Sequence, residues 1–479
     1  MLFNSQEFVF LFLPLVLLVF LWLRRHGRLA PLVGWLLLAS LCFYAWWDWR
    51  YLALLLGSIA VNHVLGLRVQ AGRGGGSGRA WLSLGVLLNV ALIAWFKYRL
   101  FLAGVFSASD PWLMGLGGLV LPLGISFFTF QQIAYLVDVH RGMAAERGAG
   151  RYALFVSFFP QLIAGPIVHM RDVGPAIAAM PQRRGRAEDI AVGLSIFVVG
   201  LAKKVLIADS LALHAAPAFD GLADGGSPAA LAAWTAMLAY SFQIYFDFSG
   251  YSDMAVGLAR LFGIPLPVNF LSPYKARSIT DFWRRWHITL SRFLRDYLYI
   301  PLGGSRRGRL RTYVNLLLVM LIGGLWHGAN WTFVAWGGVH GALLALERLL
   351  PRRRRWPRAL SIALTFTLVT FAWVLFRAPT LDGALRFYAA LGSGGLALPA
   401  GWQVAWTGIA LAAALAFFAP NTTQLFRHHA PGLLPNDLAL ADRGPAWRPV
   451  RSHALALALL FVACALMLSR ETVFLYFQF

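Results

Sequence analysis

The chain has 479 residues, 59% of them hydrophobic and only 13% charged, where soluble domains carry about 25%, and its mean hydropathy is +0.64. This excludes an ordinary soluble enzyme and indicates an all-α polytopic membrane protein, one integral domain over residues 1–479 with the lipid bilayer as its first partner. The net charge of +22 does not indicate nucleic acid, because the basic residues lie in short loops between apolar runs, the pattern that orients chains in membranes.

A bilayer crossing needs about 20 apolar residues. Such runs fall near residues 8–23, 31–47, 49–67, 81–102, 112–137, 188–208, 229–248, 312–327, 331–349, 359–377, 403–419 and 453–468. About 10–12 transmembrane helices are therefore expected, with re-entrant and amphipathic helices between them. The first run has no basic segment before it and no small-residue cleavage site, and Arg24, Arg25 and Arg28 follow it, so it reads as a retained span with its N-terminus outside. The basic loops Arg68–Arg79, His140–Arg151, Arg352–Arg358 and Arg427–Arg451 then fall in the cytoplasm, and the acidic loop Asp209–Asp224 falls outside. Tyr152 to Val168 breaks this alternation, with basic residues on both sides and Pro160 and Gly165-Pro166 within it. It reads as re-entrant, which is tolerated where the backbone is buried in protein or lines a cavity. Both cysteines, Cys42 and Cys464, lie in apolar runs and act as small hydrophobes.

From Ser249 to Arg311 there are eleven Lys or Arg against three Asp and no Glu, so this segment belongs to the cytoplasmic side. The spacing predicts a helix with Thr280 as N-cap and Asp281 in its first turn. Phe282, Trp286, Leu290, Phe293, Leu294 and Tyr297 form its apolar stripe, and Arg284, Arg285, Arg292 and Arg295 take other faces. His287 stands one residue off the stripe.

Polar groups at membrane depth are costly, so functional hypotheses start with them. His327 sits in GGLWHGANW (Gly323 to Trp331) among small and aromatic residues, and imidazole is the usual general base near neutral pH. No second ligand stands three or four residues from it and no carboxylate is in HGANW, so no metal site is expected, although His340 follows 13 residues later. The chain has no GxSxG elbow, P-loop, GxGxxG after a strand, HExxH or His-x4-Asp box. On the residues alone, an enzyme and a transporter are equally supported.

Five motifs carry a resemblance: LPLGISFFTFQQIAYLVDVHRG (Leu121 to Gly142), FPQLIAGPIVHM (Phe159 to Met170), FDFSGYSDMAVGLARLFGI (Phe246 to Ile264), NFLSPYKARSITDFWRRWHITLSRFLRDYLYIPLGG (Asn269 to Gly304) and GLWHGANWTFVAWGGVHG (Gly324 to Gly341). In these the chain resembles the membrane-bound O-acyltransferase family, and within it the bacterial branch that acetylates cell-envelope polysaccharides such as alginate, cellulose or peptidoglycan. The resemblance implies a ring of helices around a central tunnel, a catalytic core over 121–350 and location in the bacterial inner membrane. It implies acetyl-CoA as co-substrate, with His327 as general base and His287 as second polar position. Lys275, Arg277, Arg284, Arg285, Arg306 and Arg307 are expected to bind coenzyme A phosphates, since Arg makes bidentate contacts with them. It also implies a periplasmic SGNH-type partner that passes acetyl to the polysaccharide. In the aromatic C-terminal motif, residues 470–479, Tyr476 is a candidate acyl relay.

Overall fold

The computed structural model describes residues 1–105, 121–182, 187–349, 356–394, 401–435, 444–469 and Leu475. The described residues form helices and connecting loops, with a single isolated β-bridge between Pro267 and Leu433. In chain order the helices are α1 Phe8–Arg24, α2 Leu29–Asp48, α3 Leu52–Ala71, α4 Gly76–Val105, α5 Ile125–His140, α6 Ala149–Ser157, α7 Met170–Ala178, α8 Ala187–Asp220 and α9 Ala230–Leu261. They continue with α10 Ile279–Arg285, α11 Ile288–Leu294, α12 Arg309–His327, α13 Trp331–Leu349, α14 Arg358–Arg377, α15 Leu381–Gly392, α16 Trp402–Phe417 and α17 Arg451–Ala465.

Among the described residues five stretches are long and apolar enough to cross a membrane: Leu29–Ala71, Gly76–Val105, Ala187–Asp220, Arg309–His327 and Arg358–Arg377; the shorter apolar helices α1, α16 and α17 join them. Large apolar side chains such as Leu18, Trp46, Leu87, Val404 and Leu459 point outward. An aqueous surface would not hold so many, whereas lipid does. The protein is a multi-pass α-helical membrane protein.

Two sequence expectations are corrected, the extent of the run near 229–248 and the helix expected from Thr280. The run near 229–248 continues as α9 to Leu261, because the polar FDFSGYSD stretch is buried in protein and does not leave the helix. The run Tyr152 to Val168, expected as re-entrant, is buried apart from the half-buried Ala153 and consists of the end of α6, the single turn Phe159–Leu162 and an irregular segment. The helix expected with Thr280 as N-cap starts two residues earlier, at Ile279 with Ser278 as N-cap, its side chain accepting the Asp281 N–H, and it breaks at Trp286-His287.

Two helix pairs form the frame. Helices α8 and α9 approach through glycines spaced seven apart: a methyl on Gly200 would lie 2.6 Å from the Gly250 carbonyl oxygen, and one on Gly257 would lie 2.6 Å from that of Gly193. A methyl at Gly324 or Gly337 would run into the Phe333 or Met320 carbonyl, which brings α12 against α13. Such small-residue contacts are how helices associate where lipid removes the hydrophobic drive. Inside the first pair, Lys204 Nζ lies 2.5 Å from Asp209 Oδ1 and 2.7 Å from Asp247 Oδ1, all three side chains buried.

Candidate active site

The turn between α12 and α13 is built by HGAN. Gly328 takes an extended conformation and ends α12 at His327. Asn330 Oδ1 accepts the Thr332 N–H at 3.1 Å, capping α13, while its amide donates to the Pro379 carbonyl at 2.8 Å. His327 is thereby set at the end of a helix and is 5% exposed. Its ring is walled by Trp326, Trp336 and Phe376, with centroids 4.9, 5.3 and 5.0 Å away. Across the turn from α12, Lys97 Nζ donates to the carbonyls of Trp326 and His327 at 2.6 and 2.9 Å, and the Tyr98 hydroxyl donates to the Leu325 carbonyl at 2.7 Å.

His287 occupies the break between α10 and α11, in the left-handed region at φ 43°. The break is held from outside the helix: the Leu271 N–H donates to the Arg285 carbonyl and the Ile288 N–H to the Asn269 carbonyl, each at 3.0 Å. Asn269 Oδ1 also accepts from the Thr289 N–H at 3.2 Å and the Thr289 hydroxyl at 3.0 Å, and it lies 3.2 Å from His287 Nδ1. With that oxygen fixed as an acceptor, Nδ1 carries the proton of the neutral ring and Nε2 keeps its lone pair. His287 is fully buried, 6.4 Å from His327 between ring centroids. His340 lies one ring further away: its Nδ1 faces the Trp283 indole N–H at 3.3 Å, and its ring is 4.8 Å from Trp336. Among the described residues no three His, Cys, Asp or Glu side chains converge as a metal site would require.

A cavity of about 830 Å³ lies against the helix break that carries His287; neither His287 nor His327 is itself among its lining residues. Trp283, Ile288 and Thr289 form part of its wall, so the residues flanking His287 and the ring against His340 face it. Arg284, Arg292, Arg295 and Arg348 supply positive charge around it, partly offset by Asp172, which binds Arg292 at 2.9 Å, and by Asp296, which binds Arg295 at 2.8 Å.

Of the six basic residues expected to meet phosphates, Arg284 lines this cavity and the other five are not among its lining residues. Lys275 Nζ donates to the Ala419 carbonyl at 2.7 Å, and burial, then Arg358 and Arg285, hold its ammonium below its ordinary pKa. Arg285 is bound to Asp281 at 2.7 Å; Arg277, Arg306 and Arg307 are exposed. Sequence reasoning missed Arg292, Arg295 and Arg348. The first two were legible as the basic faces of the amphipathic stretch, once that stretch is broken and rotated at His287.

Residues 147–381 match the model of MBOAT, the membrane-bound O-acyltransferase family. A "Probable alginate O-acetylase AlgI" of Pseudomonas putida is 42% identical over 506 residues, covering 100% of both chains. The chain belongs to the membrane-bound O-acyltransferase family. Another "Probable alginate O-acetylase AlgI", from Azotobacter vinelandii, is 41% identical with 100% of both chains covered. The "Peptidoglycan O-acetyltransferase" of Helicobacter pylori is 45% identical over 81% of this chain and 79% of that one. As a membrane-bound O-acyltransferase the chain is an enzyme that transfers an acyl group, and the histidine pair and the cavity both lie within or beside the matched region. Tyr476 lies outside the described residues. Its neighbour Leu475 is 4% exposed, and its N–H reaches Asp247 Oδ2 at 3.3 Å.

Proposed function

We propose that this chain is an O-acetyltransferase of the bacterial inner membrane that takes acetyl from cytoplasmic acetyl-CoA and delivers it across the bilayer for O-acetylation of an exported polysaccharide. The observation that carries the reading is the pair of buried histidines, His327 and His287, with an arginine-lined cavity against the residues that follow His287. Two further points support it: the relatives' names specify O-acetylation of alginate and of peptidoglycan, and the basic residues follow the cytoplasmic bias of membrane proteins. Residues 121–350 form the catalytic core in this reading, and the arginines receive the phosphates of coenzyme A.

His327 acts as general base. It takes the proton of an acceptor hydroxyl, whose oxygen attacks the acetyl carbonyl carbon; the C–S bond breaks, and the proton passes to sulfur as free CoA leaves. His287, with its Nδ1 proton committed to Asn269, orients the reacting groups or handles the proton at Nε2. The acceptor is the Tyr476 hydroxyl, a transient relay whose aryl ester is a better donor than an alkyl ester, and a periplasmic SGNH-type transferase then moves acetyl to the polysaccharide.

The test is release of free CoA from acetyl-CoA by the purified protein in nanodiscs, with the acetyl label followed by peptide mass spectrometry. His327→Ala is expected to lower release by about 10²-fold or more, the usual worth of a general base, while the protein still elutes as a folded species. Label is expected on the wild-type C-terminal peptide and not on Tyr476→Phe. Release unchanged in His327→Ala would remove the base assignment. Transport of labelled donor into vesicles without CoA release would make the protein a transporter.

A further inference from the structure

The last turn of α12 is held in an unusual way. The final carbonyls of a helix have no partners within it and are ordinarily closed by a glycine turn or by water. Here Gly328 follows His327 in an extended conformation, with no such closure. Three successive carbonyls, those of Leu325, Trp326 and His327, are instead met by two adjacent side chains of α4, the Tyr98 hydroxyl and the Lys97 ammonium. Adjacent residues of an α-helix diverge by about 100°. Lys97 and Tyr98 lie in a π-helical turn, Ala94–Tyr98, a widening found frequently at functional sites, and both reach the same helix end.

Lys97 is also the wrong residue for a merely structural role. It stands in a stretch apolar enough to cross the membrane, where a cation is costly. Its ammonium donates to the Trp326 and His327 carbonyls, and among the described residues no carboxylate forms an ion pair with it. A neutral donor would satisfy a carbonyl at lower cost. The ammonium also lies 5.9 Å from the centre of the Trp326 ring, part of the wall of His327. A cation at the negative end of a helix is well placed electrostatically, and here that end carries the imidazole.

We propose that Lys97 is a positioning residue for His327: its ammonium fixes the terminal turn of α12 so that the imidazole and its Trp326 wall are held in the orientation that acyl transfer needs. The proposal rests on the acetyltransferase reading above. Misplacing a reacting group by about 1 Å can cost about 10²-fold in rate, so a loosened turn should appear in kcat and not in substrate affinity.

The experiment measures CoA release in a single turnover, its rate constant taken as kcat and the acetyl-CoA concentration that half-saturates it as KM, for wild type, His327→Ala, Lys97→Met, Lys97→Arg and Tyr98→Phe, each checked for folding by size exclusion and thermal melting. Folded Lys97→Met is expected to lose about 30-fold or more in kcat, with KM for acetyl-CoA within about threefold of wild type. Lys97→Arg, which keeps charge and donors, should recover most of that loss, and Tyr98→Phe should lose less than Lys97→Met. Folded Lys97→Met with kcat within about threefold of wild type would overturn the proposal, as would a loss confined to KM. A loss explained by the unfolded fraction alone, seen as wild-type kcat per folded molecule, would also overturn it. Absence of His327-dependent release in the wild type would instead sink the acetyltransferase reading itself.

Discussion

Asn269 is the residue on which the geometry of His287 depends. One side-chain oxygen accepts the Thr289 N–H and the Thr289 hydroxyl and meets His287 Nδ1. The Thr289 hydroxyl in turn accepts the Ile167 N–H at 3.0 Å, which joins this corner to the buried irregular segment after α6. Asn269→Leu keeps the volume and removes the acceptor, so it strands buried donors. The expected cost is about 1–3 kcal/mol of stability, read as a lowered melting temperature, with CoA release reduced further than the stability loss explains. Unchanged release in the folded variant would mean that the orientation of His287 is set by packing against Phe248, 4.7 Å away, and not by this hydrogen bond. In the sequence, Asn269 was one polar residue in a long motif. Its role depends on a loop pairing with a helix break, which no local spacing announces.

Among the elements, helices that face lipid were the most legible and helices that face protein the least. The runs read at 359–377 and 403–419 match α14 and α16 to within two residues at either end, because a lipid-facing side must stay apolar along its whole length. The break at His287 was hidden because Phe282, Trp286 and Leu290 keep a regular helical spacing through it. Backbone bonds from residues 269 and 271 decide the matter, and they are tertiary. Lys97 was hidden for the opposite reason, being one cation inside an apolar run; that exception was its signal. The histidine pair came from the family resemblance, since 40 residues of chain separate two side chains whose rings are 6.4 Å apart. The contact between α8 and α9 makes a direct prediction. Gly200→Val places branched carbons where the Gly250 carbonyl already stands, 2.6 Å from a first methyl, and neither backbone can give way without opening the pair. Sharply reduced yield and melting temperature are expected, against a near-neutral effect for the same change at Gly57, which has open space around it. Equal behaviour of the two variants would mean that the pair adapts.

At the scale of the whole molecule, α9 is the shared wall. Every residue from Ala239 to Ser252 is buried, on all sides of the helix, and the helix packs against α8, α14, α15 and α16. At about 1.5 Å per residue its 32 residues span more than the hydrocarbon thickness. It carries Asp247 toward Lys204 and Leu475, and Phe248 toward His287. This has a consequence for biogenesis. A helix with Gln243, Asp247, Ser249 and Ser252 on buried faces has no side suited to lipid, so it cannot be left in the bilayer alone while the ribosome makes the rest. Only α8 precedes it as a long partner, and the other three follow. A ribosome-arrested chain long enough for α9 to have left the ribosome, but ending before α14, should stay crosslinkable to the insertion machinery, and one long enough for α16 to have left it should be released. Release of the shorter chain would mean that α8 and the glycine contacts suffice to shelter α9 during synthesis.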